Sequence, residues 1–524
     1  MHTNHRRRFR PLGRRSWLAA FVSGLLLVGV CAATGIAGDP FAAGGGRPAP
    51  AATAPGHPYP GDERERPAGA LPFDMPDPAA LRAAGPGRLV FAHYFTPYPL
   101  SLDNARPEAD YYARHYLTAD GESGKHAPYG GLLRDRPLPV APKGGDWEGA
   151  NLRQEVRTAR AAGIDGFTLD LLSLSGTHWE RANLLMEAAR SVDPDFRIML
   201  MPDMTSLKTD DPTVLADAVA ALGAQPAAHR LDDGRLVLSP FKAEAKDVAW
   251  WTRTLDVLER RHGIRTAFVP LFLDLASHAE VFAPISHGFS EWGSRSHTGQ
   301  EGATADVRRA HALGKIWMQP VSVQDARPNQ GVYDEAGNTA TLRATWTRAI
   351  EDGADWVQLT TWNDYSEGSH FAPSAHNGHA YLDLSSYYLT RFKTGTWPRI
   401  VRDTLYLTSR TQFAAAAPAG GQQRLMSLRR GSAAARDTVE VLSLLTAPAT
   451  VRTTVGTARS SYEAPAGLHS ALLPLRTGTG SARVVRGGTG TAAAELPYPV
   501  RRQAPVQDLQ YYAVTSGREV PSCC

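Results

Sequence analysis

Two carboxylates close together near residue 365 are the sharpest chemical signal in the sequence. Asp364 and Glu367 stand three residues apart within residues 360–368 (TTWNDYSEG), a polar turn that directly follows an apolar run. This spacing can direct both side chains into one cavity. Hydrolysis of a glycosidic bond needs one carboxylic acid that protonates the leaving oxygen and one carboxylate that activates water or attacks carbon. The pair therefore predicts sugar chemistry, and the structural alternative is a polar turn that only closes the fold.

Further candidate residues stand at the ends of other apolar runs. Carboxylates beside aromatic rings suit sugar recognition, because the acids transfer protons and the rings pack on the sugar faces. Each candidate has a structural alternative, since an aspartate after a strand is often the N-cap of the next helix and a histidine in an apolar run is often a core residue. We predict a site that includes His93, Tyr94, Asp170, Asp203, Asp274, Glu291, Trp292, Gln319, Ser322, Trp362, Asn363 and Tyr365.

Eight short apolar runs alternate with segments of helical spacing. This alternation is typical of parallel strands covered by helices, and eight strand–helix units predict a (β/α)8 TIM barrel. Side chains at the carboxyl ends of the strands face the active site in such a barrel, so the candidate residues would converge there. The predicted strands are 88–95, 164–170, 196–203, 235–240, 266–274, 285–292, 315–322 and 355–362. The predicted helices are 151–162, 179–191, 212–223, 245–262, 277–282, 302–313, 339–352 and 384–394.

The chain divides into four predicted segments. We expect an export signal over residues 1–37, a disordered linker rich in Ala, Pro and Gly over 38–85, the catalytic barrel over 86–400 and a smaller all-β sandwich over 401–524. The stretch 96–150 is expected to be a long loop on the active-site face. The sandwich could bind carbohydrate or brace the barrel, and we favour bracing.

The first segment indicates export. Arginines precede the apolar run 17–30, and small residues follow it. The Arg14–Arg15 pair is compatible with a twin-arginine route as well as with the Sec route. An uncleaved anchor stays open because the run is nearly long enough to span a bilayer, whereas the large Val30 disfavours lipidation of Cys31. We therefore expect a secreted protein with no membrane partner after signal removal.

Composition and cysteine spacing argue against several classes of function. The formal net charge of the 524 residues is +4, and the basic residues are scattered after position 15, which gives no indication of nucleic-acid binding. Three cysteines without a CxxC spacing provide neither a disulfide framework nor a zinc site, and the histidines show no metal-ligand pattern. We expect a monomer without cofactor or metal, and a polysaccharide as its partner. The sequence defines no role for Cys523 and Cys524.

Six motifs follow one another along the predicted barrel. They are FAHYF at 91–95, GIDGFTLD at 163–170, MLMPDM at 199–204, FVPLF at 268–272, QPVS at 319–322 and TTWNDYSEG at 360–368. In this order they resemble family 71 of the glycoside hydrolases, the α-1,3-glucanases or mutanases. The resemblance implies hydrolysis of α-1,3-linked glucan with inversion and without a metal. It makes Glu367 the general acid and Asp364 the general base, and it places a further family aspartate on Asp203.

A few residues depart from the family pattern. Ser366 stands where Gly is usual, Gly368 where Ser is common, and Pro202 where Phe is usual; Glu291 and Trp292 also differ. These changes lie beside the predicted acids, so they bear on linkage preference more than on hydrolysis. Two alternatives stay open: an endo-α-mannanase-like hydrolase of another α-linked polysaccharide, and a non-catalytic carbohydrate-binding surface protein.

Overall fold

Parallel strands close a barrel in the computed structural model, which describes residues 71–518 apart from the side chain of residue 301. Nine strands of this part of the chain form one sheet in the hydrogen-bonded order β5-β4-β3-β2-β1-β11-β8-β7-β6. A short hairpin, β9–β10, follows β8. The strands are β1 (Leu89–Tyr94), β2 (Gly166–Leu171), β3 (Arg197–Pro202), β4 (Leu236–Leu238), β5 (Thr266–Phe268), β6 (Leu271–Phe272), β7 (Gly288–Glu291), β8 (Ile316–Val321), β9 (Asp325–Arg327), β10 (Val332–Asp334) and β11 (Trp356–Leu359).

The segments β5 and β6 are two parts of one barrel strand. Val269 N donates to Leu238 O (2.9 Å) and Leu271 N donates to Pro240 O (3.0 Å), so the whole stretch follows β4 on one side. Pro270 lies between these two donors and has no N–H to contribute. On its other side, β6 pairs in parallel with β7. The sheet is therefore closed with eight strand positions, which confirms the predicted (β/α)8 fold.

Eight helices, α3 to α10, follow the eight barrel strands in turn. Four of them begin after an aspartate whose carboxylate accepts a hydrogen bond from the first turn, as N-caps do. One of these caps is Asp274, so this candidate residue starts α7. The helices are α1 (Pro78–Ala84), α2 (Gly121–Gly124), α3 (Trp147–Ala161), α4 (Gly176–Val192), α5 (Pro212–Gly223), α6 (Val248–His262), α7 (Leu275–Phe282), α8 (Glu301–Ala312), α9 (Ala340–Glu351) and α10 (Ala380–Thr394).

Alternate residues of each strand point into and out of the barrel. Phe91, Met199, Val237 and Met318 belong to a small apolar cluster inside the barrel. Their sequence neighbours belong to the larger core between the strands and the helices. Because the side-chain period of a strand is two, this alternation decides which strand-end residues reach the active-site cavity.

The long loop after β1 covers one side of the barrel mouth. Tyr98, Tyr112 and Leu133 of this loop pack with Tyr365 in a separate apolar cluster. Arg136 also forms a buried ion pair with Asp110. The loop is thereby anchored to the turn that follows β11.

The C-terminal region forms two antiparallel four-stranded sheets, as the sequence predicts. Their orders are β17-β14-β12-β20 and β16-β15-β18-β19, and Leu405, Val451 and Val484 lie in the core between them. The two-residue strand β13 instead pairs with β10 of the barrel region. The strands are β12 (Thr404–Ser409), β13 (Ser427–Leu428), β14 (Thr438–Leu445), β15 (Ala449–Val455), β16 (Ala458–Ala464), β17 (Gly467–Pro474), β18 (Gly480–Arg486), β19 (Thr489–Glu495) and β20 (Tyr512–Thr515).

The β12-containing sheet packs on the barrel as well as on its partner sheet. Tyr406, Leu442, Leu444 and Ala513 belong to the same apolar core as the barrel helices. Glu440 of β14 accepts hydrogen bonds from the Thr339 main chain and side chain at 2.8 and 2.7 Å. The two regions therefore share a core.

The predicted disordered linker, 38–85, extends too far, because its last residues are part of the folded region. Residues 71–85 include α1, whose Leu81 is fully buried, and Phe73 is buried in the same core. These side chains bury apolar area that the Ala- and Pro-rich composition does not suggest. The predicted signal, 1–37, and the rest of the linker lie outside the described residues. Within residues 71–518, no helix combines the length and apolar character needed to cross a membrane.

Candidate active site

Asp364 organises the turn that follows β11. Its Oδ1 accepts hydrogen bonds from Ser366 N (2.9 Å), Ser366 Oγ (2.6 Å) and Glu367 N (3.1 Å). Its own main-chain N donates to Thr361 Oγ1 at 2.8 Å. All three bonds to the carboxylate use Oδ1. The turn thus holds Asp364 in one orientation and brings Glu367 beside it.

Glu367 is held by an arginine that sequence reasoning missed. Its Oε1 lies 2.6 Å from Arg327 Nη1, while Oε2 is buried and has no hydrogen-bond partner within the described part of the chain. Arg327 also donates from Nε and Nη2 to the two carboxylate oxygens of Asp325, at 2.7 and 2.5 Å. Both residues lie on β9, and Ala326 N donates to the Glu367 carbonyl at 2.7 Å. The hairpin therefore fixes both the main chain and the side chain of Glu367.

Burial sets the protonation of this pair. Burial raises the pKa of Glu367 to about 8; the Arg327 guanidinium opposes the shift and the Asp364 charge adds to it. Burial also raises the pKa of Asp364, against the hydrogen bond from Ser366 and the charge of Arg327. Burial alone would lower the pKa of Arg327, but the carboxylates of Asp325 and Glu367 raise it. The arginine hence stays charged, and Glu367 carries a proton at neutral pH.

His93 and Asp170 stand on β1 and β2 and point into the same cavity. His93 Nε2 lies 3.5 Å from Asp170 Oδ2, and Nδ1 lies 3.2 Å from the sulfur of Met201. Burial lowers the pKa of His93 to about 4, so the imidazole is neutral. Burial, together with the charges of Asp203 and Asp364, raises the pKa of Asp170 well above its usual value. Its Oδ1 is buried and has no hydrogen-bond partner among the described residues.

Asp203 directly follows β3 and shapes the loop that begins there. Its Oδ1 accepts hydrogen bonds from Thr205 N (2.7 Å), Thr205 Oγ1 (2.6 Å) and Ser206 N (3.2 Å), and its Oδ2 accepts one from Ser206 Oγ (2.9 Å). The side chain lies on the inner face of the barrel, on the same side as Met201 two residues earlier. Asp203 therefore adds negative charge to the cavity while both of its oxygens bind the loop.

Trp292 forms an aromatic wall of the cavity. Its ring meets those of His93 and Phe241 edge-on, with centroid distances of 5.1 and 4.9 Å. The guanidinium carbon of Arg295 lies 4.7 Å from the Trp292 ring centroid. Arg295, which sequence reasoning also missed, donates from Nη1 to Ser322 Oγ at 2.5 Å and to the Thr360 carbonyl at 2.8 Å. A buried cation thus joins the strand ends of β7, β8 and β11.

Tyr94 and Trp362 do not face the cavity, which corrects their predicted role. Both rings lie in the core outside the barrel wall. Tyr94 OH donates to Glu155 Oε2 at 2.9 Å, and Trp362 Nε1 donates to Glu155 Oε1 at 3.4 Å. Tyr94 follows His93 directly, so the two side chains point to opposite faces of β1.

The predicted roles of Glu291 and Gln319 are corrected for the same reason. Glu291 pairs with Phe272, whose ring lies in the outer core, and its Oε1 accepts a hydrogen bond from Leu275 N at 3.1 Å. Gln319 Oε1 accepts a hydrogen bond from Trp317 Nε1 at 2.7 Å. The side chain of Trp317 also faces outward, into the core between strands and helices. Both residues are at strand ends but on the helix side of the wall.

Asn363 and Tyr365 hold the acid-bearing turn against the loop after β1. Asn363 Oδ1 accepts from Phe95 N (2.7 Å), and Nδ2 donates to the carbonyls of Phe95 (3.0 Å) and Tyr98 (2.9 Å). Tyr365 is buried, with its ring centroid 4.3 Å from that of His370. These placements make both residues supports of the turn, rather than the substrate contacts that the sequence predicts.

Gly368 explains one departure from the family pattern. Its φ is +64°, a conformation that favours glycine, and a Cβ there would lie 2.3 Å from Gln510 Nε2. The turn therefore packs directly on the C-terminal region.

Within residues 71–518, no three His, Cys, Asp or Glu side chains are grouped so that they could hold a metal ion.

Comparisons with known proteins find relatives among the glycosyl hydrolases. The profile described as Glycosyl hydrolase family 71 matches residues 143–512. The chain is 24% identical over 375 residues to "Glucan endo-1,3-alpha-glucosidase agn1" of Schizosaccharomyces pombe, covering 66% of this chain and 85% of the relative. It is also 24% identical over 370 residues to "Mutanase Pc12g07500" of Penicillium rubens, covering 66% and 80%.

Solved structures include a more distant neighbour. The GH99 endo-alpha-mannosidase from Bacteroides thetaiotaomicron aligns with a TM-score of 0.46 and 15% identity, covering 58% of this chain and 97% of that one.

The family profile spans most of the chain, including the turn with both acids, and it confirms the resemblance found in the motifs. The chain therefore belongs to glycosyl hydrolase family 71 and is a glycoside hydrolase.

Proposed function

We propose that this protein is a secreted hydrolase that cleaves the α-1,3-glucosidic bonds of α-glucan with inversion. The observation that carries the proposal is the Asp364–Glu367 pair at the barrel mouth, in which burial keeps a proton on Glu367. The names of the matched relatives, a glucan endo-1,3-alpha-glucosidase and a mutanase, support the linkage. A third relative, "Ascus wall endo-1,3-alpha-glucanase", supports a location outside the cell.

The two acids divide the reaction between them. Glu367 transfers its proton to the glycosidic oxygen as the bond from that oxygen to the anomeric carbon breaks. Asp364 accepts a proton from a water molecule, whose oxygen attacks the anomeric carbon from the opposite face. The products are a sugar with an inverted anomeric centre and an alcohol on the leaving chain. Afterwards Glu367 is ionised and Asp364 protonated, and exchange with solvent restores both.

Arg327 assists the proton transfer from Glu367. Once the proton has left, the new carboxylate stays within 2.6 Å of a guanidinium that remains charged. A charge-assisted hydrogen bond of this kind stabilises the ionised form more than the neutral one. The arginine thereby stabilises the product side of the proton transfer. It also lowers the pKa of Glu367, but burial outweighs this effect, so Glu367 is still protonated in the free enzyme.

The opposite wall of the cavity offers groups that suit a sugar. The half-buried Trp292 ring can pack on a sugar face, and the Asp170 carboxyl group beside His93 is a hydrogen-bonding group on the same wall. Neutral His93 can donate or accept a hydrogen bond, depending on its tautomer. We assign these three residues to binding of the glucose unit next to the bond that is cleaved.

A panel of glycans tests the proposal. Purified residues 38–524 are incubated with insoluble α-1,3-glucan, α-mannan, α-1,4-glucan and β-1,3-glucan, with the Glu367→Gln protein as control. We expect sugar release from α-1,3-glucan alone, absent in the control, and NMR spectra that show the β-anomer first. Release from α-mannan instead would replace the proposed substrate, and an α-anomer first would refute inversion. A folded protein that releases nothing from any glycan would contradict the proposal as a whole.

A further inference from the structure

Three arginines share the outer face of the sheet β16-β15-β18-β19. Arg459 lies on β16, Arg452 on β15 and Arg483 on β18, and all three are exposed. They line a shallow cleft of about 820 Å³ on the side of this sheet away from the sandwich core. We call these three residues the arginine face. It lies in the C-terminal region, whereas the proposed catalytic acids lie on the turn that follows β11.

Strand register places the three side chains in a row. Arg452 stands directly opposite Arg483, so both point to the same side of the sheet. On the other edge of β15, Arg452 stands opposite Ser461, and Arg459 is two residues from Ser461 and thus on the same side. Neighbouring strands are about 4.8 Å apart, so three guanidinium groups on adjacent strands can bind one ligand together.

The arrangement has little internal compensation. Like charges directly opposite each other on a sheet are destabilising. Among the described residues, none of the three arginines forms an ion pair; Glu495 lines the cleft, and Glu463 stands on the same side of β16 two residues from Ser461. Apart from these charged groups, the cleft is lined by small Ser, Thr and Ala residues. The face therefore keeps an excess of positive charge that an external anion can neutralise.

The lining restricts the kind of anion. A guanidinium presents paired N–H donors that match the two oxygens of a carboxylate or a phosphate group. No aromatic ring lines the cleft, so it lacks the stacking platform on which single-stranded nucleic acids depend. The hydroxyl groups of Ser461 and Ser481 can bond to sugar hydroxyls beside the acidic groups. We propose that the arginine face binds an acidic polysaccharide, which holds the hydrolase on an anionic matrix while the barrel acts on its own substrate.

Binding of labelled polygalacturonate to the full chain tests the proposal. We expect Arg452→Gln/Arg483→Gln to raise the Kd about tenfold at low salt in fluorescence anisotropy, because two charge-assisted contacts are lost. The matched control is Arg253→Gln/Arg430→Gln, which removes two exposed arginines outside the cleft and should leave the Kd unchanged. Ser461→Glu provides an independent variant that places a negative charge between Arg452 and Arg459, and it should weaken binding similarly.

Further ligands separate the alternatives. Neutral dextran should not bind, and a phosphomannan arm shows whether phosphate groups replace carboxylates on the same arginines. Equal Kd values for the cleft and control variants would overturn the proposal, as would tighter binding of a single-stranded oligonucleotide than of either acidic glycan. Thermal unfolding of each variant shows that loss of binding is not loss of fold. Because the variants keep both catalytic acids, their glucan hydrolysis should be unchanged.

Discussion

Replacing the two carboxyl groups by amides, one at a time, separates the roles proposed for Glu367 and Asp364. Glu367→Gln removes the proton that the leaving oxygen needs, and Asp364→Asn removes the acceptor for the proton of the attacking water. Loss of a positioned general acid or base costs about 10²–10⁴ in rate. We expect each variant to lose this factor on α-1,3-glucan, with its thermal unfolding nearly unchanged.

The pKa of Glu367 gives the magnitude of its contribution. With its pKa raised to about 8, the side chain is mostly protonated at pH 7, whereas an unperturbed glutamic acid is almost fully ionised. Burial thus keeps Glu367 in the acid form at neutral pH. Because the acid must be protonated to act, activity should fall about tenfold per pH unit above pH 8.

An activated substrate distinguishes the acid from the base. An α-1,3-glucooligosaccharide with a dinitrophenyl leaving group departs without protonation. Glu367→Gln should therefore cleave it within about tenfold of the parent rate and lose the alkaline fall of the pH profile. Asp364→Asn should stay about 10²–10⁴ slower on this substrate too, because water still needs a base. Initial rates over pH 4–10 on both substrates measure these effects.

Two results would refute this reasoning. If Asp364→Asn cleaves the activated substrate well and Glu367→Gln does not, the two roles are exchanged. If the alkaline fall of the parent enzyme lies below pH 6, burial does not dominate over Arg327 at Glu367. The Arg253→Gln/Arg430→Gln protein serves as the control, since both arginines are exposed and remote from the acid pair in sequence.

Three further predictions concern the surroundings of the site. Arg327→Met leaves Asp325 buried without the guanidinium that binds both of its oxygens, so the free energy of unfolding in urea should fall by about 3–5 kcal/mol. In any active fraction, the loss of activity at alkaline pH should begin at a higher pH. Tyr94→Phe should cost about 1–2 kcal/mol because the hydrogen bond to Glu155 is lost, while kcat/KM stays within about threefold; a large loss of activity would place Tyr94 in the site after all. Deletion of 401–524 should abolish cooperative thermal unfolding, because the barrel core includes residues of this region, and a stable isolated barrel would show that the region does not brace it.

Sequence reasoning recovered the barrel because its signals are local. Strand and helix periodicities, turn residues and N-caps act within a few residues, and they located all eight barrel strands to within a few positions. It also predicted that Asp364 and Glu367 lie together on one turn, since their spacing depends on nearby main-chain bonds, and their catalytic role stays a prediction. The β5–β6 interruption and the short hairpin β9–β10 were missed, because a two- or three-residue strand has too few residues to show a period.

The composition of the site needed the tertiary structure. His93, Asp170, Asp203 and Trp292 point into the cavity, whereas strand-end residues of the opposite parity, such as Tyr94, point outward. A position at the end of a strand does not determine which side of the barrel wall a side chain faces. That side depends on how each strand is aligned with its neighbours.

The sequence by itself thus determined the architecture and the family, because both follow from local patterns and from the order of motifs, and it predicted the two acids. Only the tertiary structure decided that Arg327, about forty residues before Glu367, forms an ion pair with it, and that Asp325 binds the same arginine. It also decided that burial keeps Glu367 protonated, since a pKa depends on charges and solvent exclusion brought together from distant parts of the chain.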